Sequence, residues 1–430
     1  MKHVVIVGGG FAGLKAAKIL GGSGQDIRVT VIDKTNHHLF QPLLYQVATA
    51  GLSQSDISVP IRSILSAFSN ISVLKGSALG VKFDEKKLVT DFGDVDYDYL
   101  ILACGVQHSY HDHPEWERFA PGLKTLEQAA EIRRRILSAF EEAEKEKDRS
   151  RLKKLLTFVV VGGGPTGVEL AGAIGEMTRY TLAKDFRNID PKLTRIILLE
   201  AGPRILSMFS PGQSSRATRD LETLGVQVWT SSPVTSMDEE SITVGNERLE
   251  TATVLWAAGI KATDLNKTLN VPMNDRGRII VEEDLSIKSH PEVFVAGDQA
   301  CFFDKNDEAL PPLSPVAIRQ GEAISRNILR EIEGEPREPF SYSHLGTMAT
   351  IGRSRAIVDF GFLKFNGLVA WLLWLFVHIY FITGFNNRIF IFLKWCIAYM
   401  TNKKGARIIL RNSWRFYDND LNETRSTDQS

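Results

Sequence analysis

Apolar residues at the start of the chain come in short unbroken runs, not in alternation with polar ones. Residues 4–7 (VVIV) make the first run, followed by a glycine-rich turn and an alanine-rich stretch with helical spacing to about Leu20. Residues 27–33 (IRVTVID) make the second, so the pattern predicts a βαβ unit whose strands are buried. After FQPLLYQVATAGLSQSDISVPI comes YDYLILACG, residues 97–105, an apolar strand ending in small residues. Residues 126 to about 154 are helical and heavily charged, and read as a solvated connector or surface helix. The pattern then begins again. LLTFVVV opens a second βαβ unit that closes with TRIILLE, residues 194–200, and TVLWAAG, residues 253–259, mirrors LILACG. This is an internal repeat on the scale of a nucleotide-binding domain. VFVAGD, residues 293–298, is another short strand, followed by a Pro-rich loop and a helix from near Pro315. From about Gly361 the pattern turns aromatic, apolar and basic.

Each half carries the same turn. Gly8, Gly10 and Gly13 fit GxGxxG between strand and helix, and Asp33 ends the next strand. Glycine permits the tight turn and close backbone approach to a pyrophosphate at the positive helix N-terminus, while the acid binds ribose hydroxyls. Gly162, Gly164 and Gly167 repeat the pattern, and Glu200 follows after a longer gap that implies an insertion. An acid at that place favours the free 2′-hydroxyl of NADH over the 2′-phosphate of NADPH.

Composition narrows the class. A chain of 430 residues suggests two or three domains, and 43% hydrophobic with 24% charged residues reads as globular. Lys plus Arg and Asp plus Glu number 51 each, so no net field argues for nucleic acid. The balance is uneven along the chain, because residues 361–417 contain no acid, only Lys364, Arg388, Lys394, Lys403, Lys404, Arg407, Arg411 and Arg415. Cys104, Cys301 and Cys396 have no metal-like spacing, which fits a reducing compartment; Cys104 and Cys301 read as small packing residues. A buried strand at residues 3–7 leaves no room for a cleavable leader, so the chain is expected to stay in the compartment where it is made. Residues 365–387 run 23 positions without a charge and contain Trp371 and Trp374. Their length allows a spanning helix; their division from IFIFLKWCIAYM and the basic punctuation favour interfacial helices; a buried core or dimer helix is the third reading.

VFVAGD resembles the Gly-Asp segment with which two-dinucleotide-domain flavoproteins hold the flavin side of FAD. In that superfamily the first cradle and the late Asp form one FAD domain, with the NAD(P)H domain inserted between them. The order here is the same, which implies FAD on the first cradle, NADH on the second, and Asp298 near the ribityl chain or pyrophosphate. Disulfide reductases of the superfamily need a cysteine pair beside the flavin, and HHLFQPLLYQVATAG contains none. A membrane-docked member implies a lipid-soluble acceptor, a quinone. GGGFAG, HHLFQPLLYQVATAG, GGGPTGVELAG, LWAAGI, FVAGDQA, PVAIRQG, MATIGR and AWLLWLFVHI resemble the type II NADH dehydrogenases, single-chain NADH:quinone oxidoreductases, from Lys2 to about Trp414.

That resemblance implies an α/β fold of two Rossmann-like dinucleotide-binding domains, the NADH domain inserted in the FAD domain, plus a C-terminal helical membrane-association region. The expected boundaries are 1–115 and 285–345 for the FAD domain, 116–284 for the NADH domain and 346–430 for membrane association. It implies non-covalent FAD, NADH as substrate, no metal, a membrane quinone, an anionic lipid surface, a homodimer and no nucleic acid. It further implies that hydride passes from NADH to FAD and two electrons to quinone without proton pumping, on a monotopic enzyme at the cytoplasmic face of the inner membrane. The implied FAD set is Gly8, Gly10, Phe11, Ala12, Gly13, Asp33, Lys34, Leu43, Leu44, Ala103, Gly105, Gly297, Asp298, Val316 and Ala317. The NADH set is Gly162, Gly164, Pro165, Thr166, Gly167, Glu169, Glu200, Ala258 and Gly259. Glu169 and Gln320 are the catalytic candidates, Glu169 for proton supply; by itself a Glu there is also an ordinary helix-start acid. Thr49, Pro315, Arg319, Gln320 and Lys364 are quinone-site candidates. Thr49 equally suits packing, Arg319 a surface or dimer contact, and Lys364 a snorkelling anchor. Relatives often carry Ala-Gln where this chain has Ser314 and Pro315. His378 reads as a packed or interfacial histidine. A sulfide:quinone reductase-like flavoenzyme and an NADH-responsive flavoprotein scaffold with slow turnover are the alternative functions.

Overall fold

The computed structural model describes residues 1–183, 185–382, 385–401 and 405–409. Lys403, Lys404, Arg411 and Arg415 of the basic tail lie outside the described residues. Contacts divide the chain into two compact units. The first comprises Met1–Leu39, Ser58–His108 and Ile260–His344; the second comprises Phe40–Ile57, Ser109–Gly259 and everything from Leu345 onward.

In the first unit the strand Lys2–Val7 lies between Ile27–Asp33 and Tyr99–Leu102, all parallel. Ile71–Lys75 extends the sheet beyond Ile27–Asp33, and His290–Val295 extends it beyond Tyr99–Leu102, also in parallel. Val4, Val5 and Ile6 are fully buried, as expected of a central strand covered on both faces. The helix Phe11–Gly21 links the first two strands and packs against the late helix Ser314–Ile332.

The second unit repeats that order with different residues. Thr157–Val161 lies between Arg195–Leu199 and Thr253–Trp256, with Val226–Trp229 at the far edge, all in parallel. The mirrored sequences therefore occupy equivalent places: Leu102 pairs with Val7, and Trp256 with Val161. This is the doubly wound α/β arrangement the sequence pattern predicts, with the second copy inserted along the chain between segments of the first.

The C-terminal segment adds an antiparallel sheet, Thr347–Gly352 with Arg355–Asp359 and Lys364–Asn366, followed by the helices Gly367–Phe381 and Phe385–Thr401. No described helix is long and apolar enough to cross a membrane. Within the second unit this sheet closely approaches one helix. A Cβ built on Gly172, within the helix Pro165–Glu176, would lie 1.8 Å from the carbonyl oxygen of Ile351. Only glycine lets the strand Thr347–Gly352 lie this near the helix. We expect Gly172→Val to cost about 1–3 kcal/mol by overpacking. Thermal denaturation should show the melting temperature several degrees lower, and an unchanged value would contradict the close approach.

Candidate active site

The two cradles are built alike. A Cβ on Gly13 would lie 1.9 Å from the Gly8 carbonyl oxygen, and one on Gly167 1.8 Å from that of Gly162. These glycines let each helix start directly against its strand, as dinucleotide folds require. Each acid then pins the middle glycine of its loop. Asp33 accepts from the Gly9 N–H at 2.6 Å, and Glu200 from the Gly163 N–H at 2.7 Å. Their second oxygens are also held, Asp33 by Thr35 and Glu200 by the Gly202 N–H at 2.6 Å. The first loop has a further brace that sequence reasoning did not find. Buried His38 donates from Nδ1 to the Gly9 carbonyl at 3.0 Å, since a carbonyl oxygen can only accept.

Around the first cradle the residues fit the expected FAD. A Cβ on Gly10 would meet nothing within 4 Å, which leaves the loop open where a pyrophosphate would sit. Gly105 and Gly297 both have φ near +70°. The Gly297 N–H donates to Gln320 Oε1 at 2.7 Å, so buried Gln320 holds the segment that carries Asp298. Phe11, Ala12, Lys34, Ala103, Gly105, Asp298, Val316 and Ala317 belong to the same unit, whereas Leu43 and Leu44 are buried in the second. Gly164, Pro165, Thr166, Gly167, Glu200, Ala258 and Gly259 gather in the second unit. Gly164 is as open as Gly10.

All three cysteines are free. Burial pushes the Cys104 thiol up to about 12, and burial likewise raises Cys301. Neither is a thiolate near neutrality, so neither is suited to carry sulfur.

Within the second unit lies a cavity of about 150 Å³. One wall is the helix Pro165–Glu176 and the π-helical turn Met177–Thr181 that continues it, presenting Glu169, Ala173, Glu176 and Tyr180. Facing residues come from the C-terminal helices, Trp371, Trp374, Leu375 and Trp395. Tyr45, Gln46 and Thr49 from the helix Leu44–Ala48 and its C-cap, and Thr350 to Arg353 from the hairpin, complete it. The Thr350 N–H reaches Glu169 Oε1 at 3.5 Å, the long limit of a hydrogen bond. Burial pushes the Glu169 carboxyl up to about 8, and the Thr350 contact pulls it only partly back. A mostly protonated carboxyl therefore sits in the cavity at neutral pH. Burial, reinforced by the Glu169 charge, raises the neighbouring Tyr45 phenol well above its ordinary range.

The quinone-site candidates are divided between the two units. Thr49 lines this cavity. Pro315, Arg319 and Gln320 belong to the first unit, with Arg319 exposed and paired to Glu322. Lys364 pairs with Asp359 at 3.2 Å and does not line the cavity. The other described cations of the C-terminal region are also engaged. Lys394 Nζ lies 2.6 Å from Asp56, Arg407 pairs with Asp185, and Arg388 donates to the Ile382 carbonyl at 2.9 Å.

The two C-terminal helices divide their faces. Leu368, Leu372, Phe376 and Tyr380, at steps of four, are exposed, while Trp374 is buried. On the next helix Ile389, Leu393 and Ile397 are exposed, while the Trp395 indole N–H donates to Gln46 Oε1 at 2.8 Å. His378 stacks on Trp374 with ring centroids 4.1 Å apart, and burial lowers its pKa to about 4. It stays neutral at working pH and serves packing.

Comparison with known proteins fits this geometry. The pyridine nucleotide-disulphide oxidoreductase family matches residues 2–321, and the NDH2 C-terminal domain matches residues 344–404. The type II NADH:quinone oxidoreductase Ndh of Mycobacterium tuberculosis is 40% identical over 423 residues, covering 95% of this chain and 90% of its own. The type II NADH:quinone oxidoreductase of Staphylococcus haemolyticus is 29% identical over 360 residues, covering 82% and 88%. Among solved structures, NDH2 of Plasmodium falciparum in complex with NADH gives a TM-score of 0.87 at 19% identity, covering 95% of this chain and all 100% of that one. The sulfide:quinone oxidoreductase of Aquifex aeolicus gives 0.72 at 18% identity, covering 89% and 90%. At such identities the solved structures speak for the fold alone.

The Glu169 environment has a consequence for stability. Its folded pKa of about 8 lies above the ordinary carboxyl value of 4.5. Between these values the unfolded chain has released a proton that the folded one keeps, so this group's contribution falls as pH rises through that window. Glu169→Gln removes the effect. Melting temperatures measured from pH 5 to 8 should decline less steeply in the variant, and parallel curves would contradict the assignment.

Proposed function

Because this chain belongs to the pyridine nucleotide-disulphide oxidoreductases, in the type II NADH:quinone oxidoreductase family, we propose that its cradles and cavity carry one reaction. NADH, a proton and a quinone become NAD⁺ and a quinol, with no proton pumped. The observation that carries this reading is the cavity itself: a protonated carboxyl on one wall and tryptophans from outward-apolar helices on the other.

NADH binds the second cradle, with its pyrophosphate over the N-terminus of the helix Pro165–Glu176 and Glu200 on the ribose hydroxyls. FAD, bound non-covalently at the first cradle, supplies the two-electron chemistry between NADH and quinone. Asp33, braced by Thr35, orients that loop, and Gln320 acts by fixing Gly297 and Asp298. The quinone ring occupies the cavity among Tyr45, Gln46, Thr49, Trp371 and Trp374, and Glu169 gives it a proton.

The enzyme is peripheral to the membrane, held by the exposed apolar stripes of the C-terminal helices. We place it at the cytoplasmic face of the inner membrane, as a homodimer. The basic residues of the acid-free C-terminal sequence suit an anionic headgroup surface.

Stopped-flow mixing tests the reaction. FAD-loaded protein in vesicles should lose its flavin absorbance on mixing with NADH and regain it on mixing with a soluble quinone. Bleaching without recovery would rule out the quinone reductase reading and leave an NADH-responsive flavoprotein.

A further inference from the structure

The cavity wall opposite the tryptophans contains a second carboxylate that the reaction above does not use. Glu169 and Glu176 are seven positions apart on one helix, hence on the same face and about 10 Å apart along its axis. Ala173 lies between them and also lines the cavity, and its small side chain leaves the lane between the two carboxylates unfilled. Tyr180 continues the stripe and is 54% exposed, so that end of the lane reaches solvent. The facing wall of Trp371, Trp374 and Leu375 suits a lipid-soluble ring and offers no chain of proton carriers.

We propose that Glu176 is a relay residue that returns a proton from solvent to Glu169 after each quinone reduction. The proposal deepens the quinone reductase reading and rests on it. The proton balance requires such a route. NADH contributes two electrons and one hydrogen as hydride, and the second hydrogen of the quinol must come from water. When the Glu169 O–H bond breaks and a quinol O–H bond forms, a carboxylate remains in a cavity that disfavours charge. Glu176 takes up a proton from solvent and passes it to Glu169 through water. A cavity of about 150 Å³ holds several waters. The two carboxyls, the Tyr45 phenol and the Thr49 hydroxyl supply the polar partners such waters need.

The surroundings leave Glu176 free to play this part. Glu176 Oε1 accepts from the Arg353 N–H, which ties it to the hairpin turn without burying it. The polar groups that face the lane are Tyr45, Gln46 and Thr49 from the helix Leu44–Ala48 and its C-cap, Thr350 and Arg353 from the hairpin, and Tyr180 and Thr181 from the π-helical turn. The C-terminal helices contribute tryptophans and leucine, with neutral His378 one turn beyond Trp374. Apart from Arg353 and Glu169, no charged side chain lines the lane with Glu176 among the described residues.

The test uses the full-length, FAD-loaded enzyme in vesicles, with NADH and either a soluble quinone or ferricyanide, which takes up electrons without protons. Gln retains an acceptor for the Arg353 N–H while losing the titratable group. Glu176→Gln should lower the ratio of quinone to ferricyanide turnover by about tenfold or more, most strongly above pH 8, where protons are scarce. Glu176→Asp should recover most of that ratio, and formate should raise quinone turnover of Glu176→Ala several-fold. A ratio in Glu176→Gln equal to the parent's at every pH, or no response of Glu176→Ala to formate, overturns the relay while leaving quinone reduction intact. A parent enzyme that reduces ferricyanide but no quinone overturns the reading beneath it as well.

Discussion

The carbonyl of Ile351 lies where a β-carbon on residue 172 would have to be. Gly172 is therefore what lets the C-terminal hairpin rest on the helix Pro165–Glu176, and both elements line the cavity. Glu169 and Glu176 flank Gly172 on the same helical face and accept from the backbone of Thr350 and Arg353, one on each side of the contact. The hairpin thereby helps to bury Glu169 and offers it only one long hydrogen bond in return. Desolvation outweighs that bond, and the carboxyl keeps its proton to about pH 8.

One helix thus serves two ends. Its N-terminal turn, open at Gly164, belongs to the dinucleotide cradle; from Glu169 onward its side is a cavity wall. The π-helical turn Met177–Thr181 prolongs that wall to the surface, in keeping with the frequency of such turns at functional sites. The helices that close the cavity expose apolar residues on their other faces, so a ligand soluble in lipid can meet a carboxyl that depends on water.

The α/β fold was legible because buried parallel strands leave unbroken apolar runs and both turns carry their glycines in order. Equivalent pairing of Val7 with Leu102 and of Val161 with Trp256 bears out the internal repeat. The cavity was not legible. Tyr45, Gln46, Trp371, Trp374 and Trp395 all come from segments more than a hundred residues from Glu169, and no local spacing marks their meeting. Ion pairing was hidden for a similar reason. In the acid-free stretch from 361 to 417, Lys394 and Arg407 find Asp56 and Asp185 far away in sequence. His38 could have been suspected only from a buried strand residue able to donate to the neighbouring glycine loop.

Quinone reduction in this cavity depends, on the proposed reading, on a neutral Glu169 carboxyl beside the ring. Infrared difference spectroscopy on the FAD-loaded enzyme reads it directly, as a protonated-carboxyl C=O band present at pH 7 and absent in Glu169→Gln. The account predicts that this band titrates near pH 8 and shifts when quinone binds. A Glu169 that is already ionised at pH 7, or a band indifferent to quinone, would contradict it.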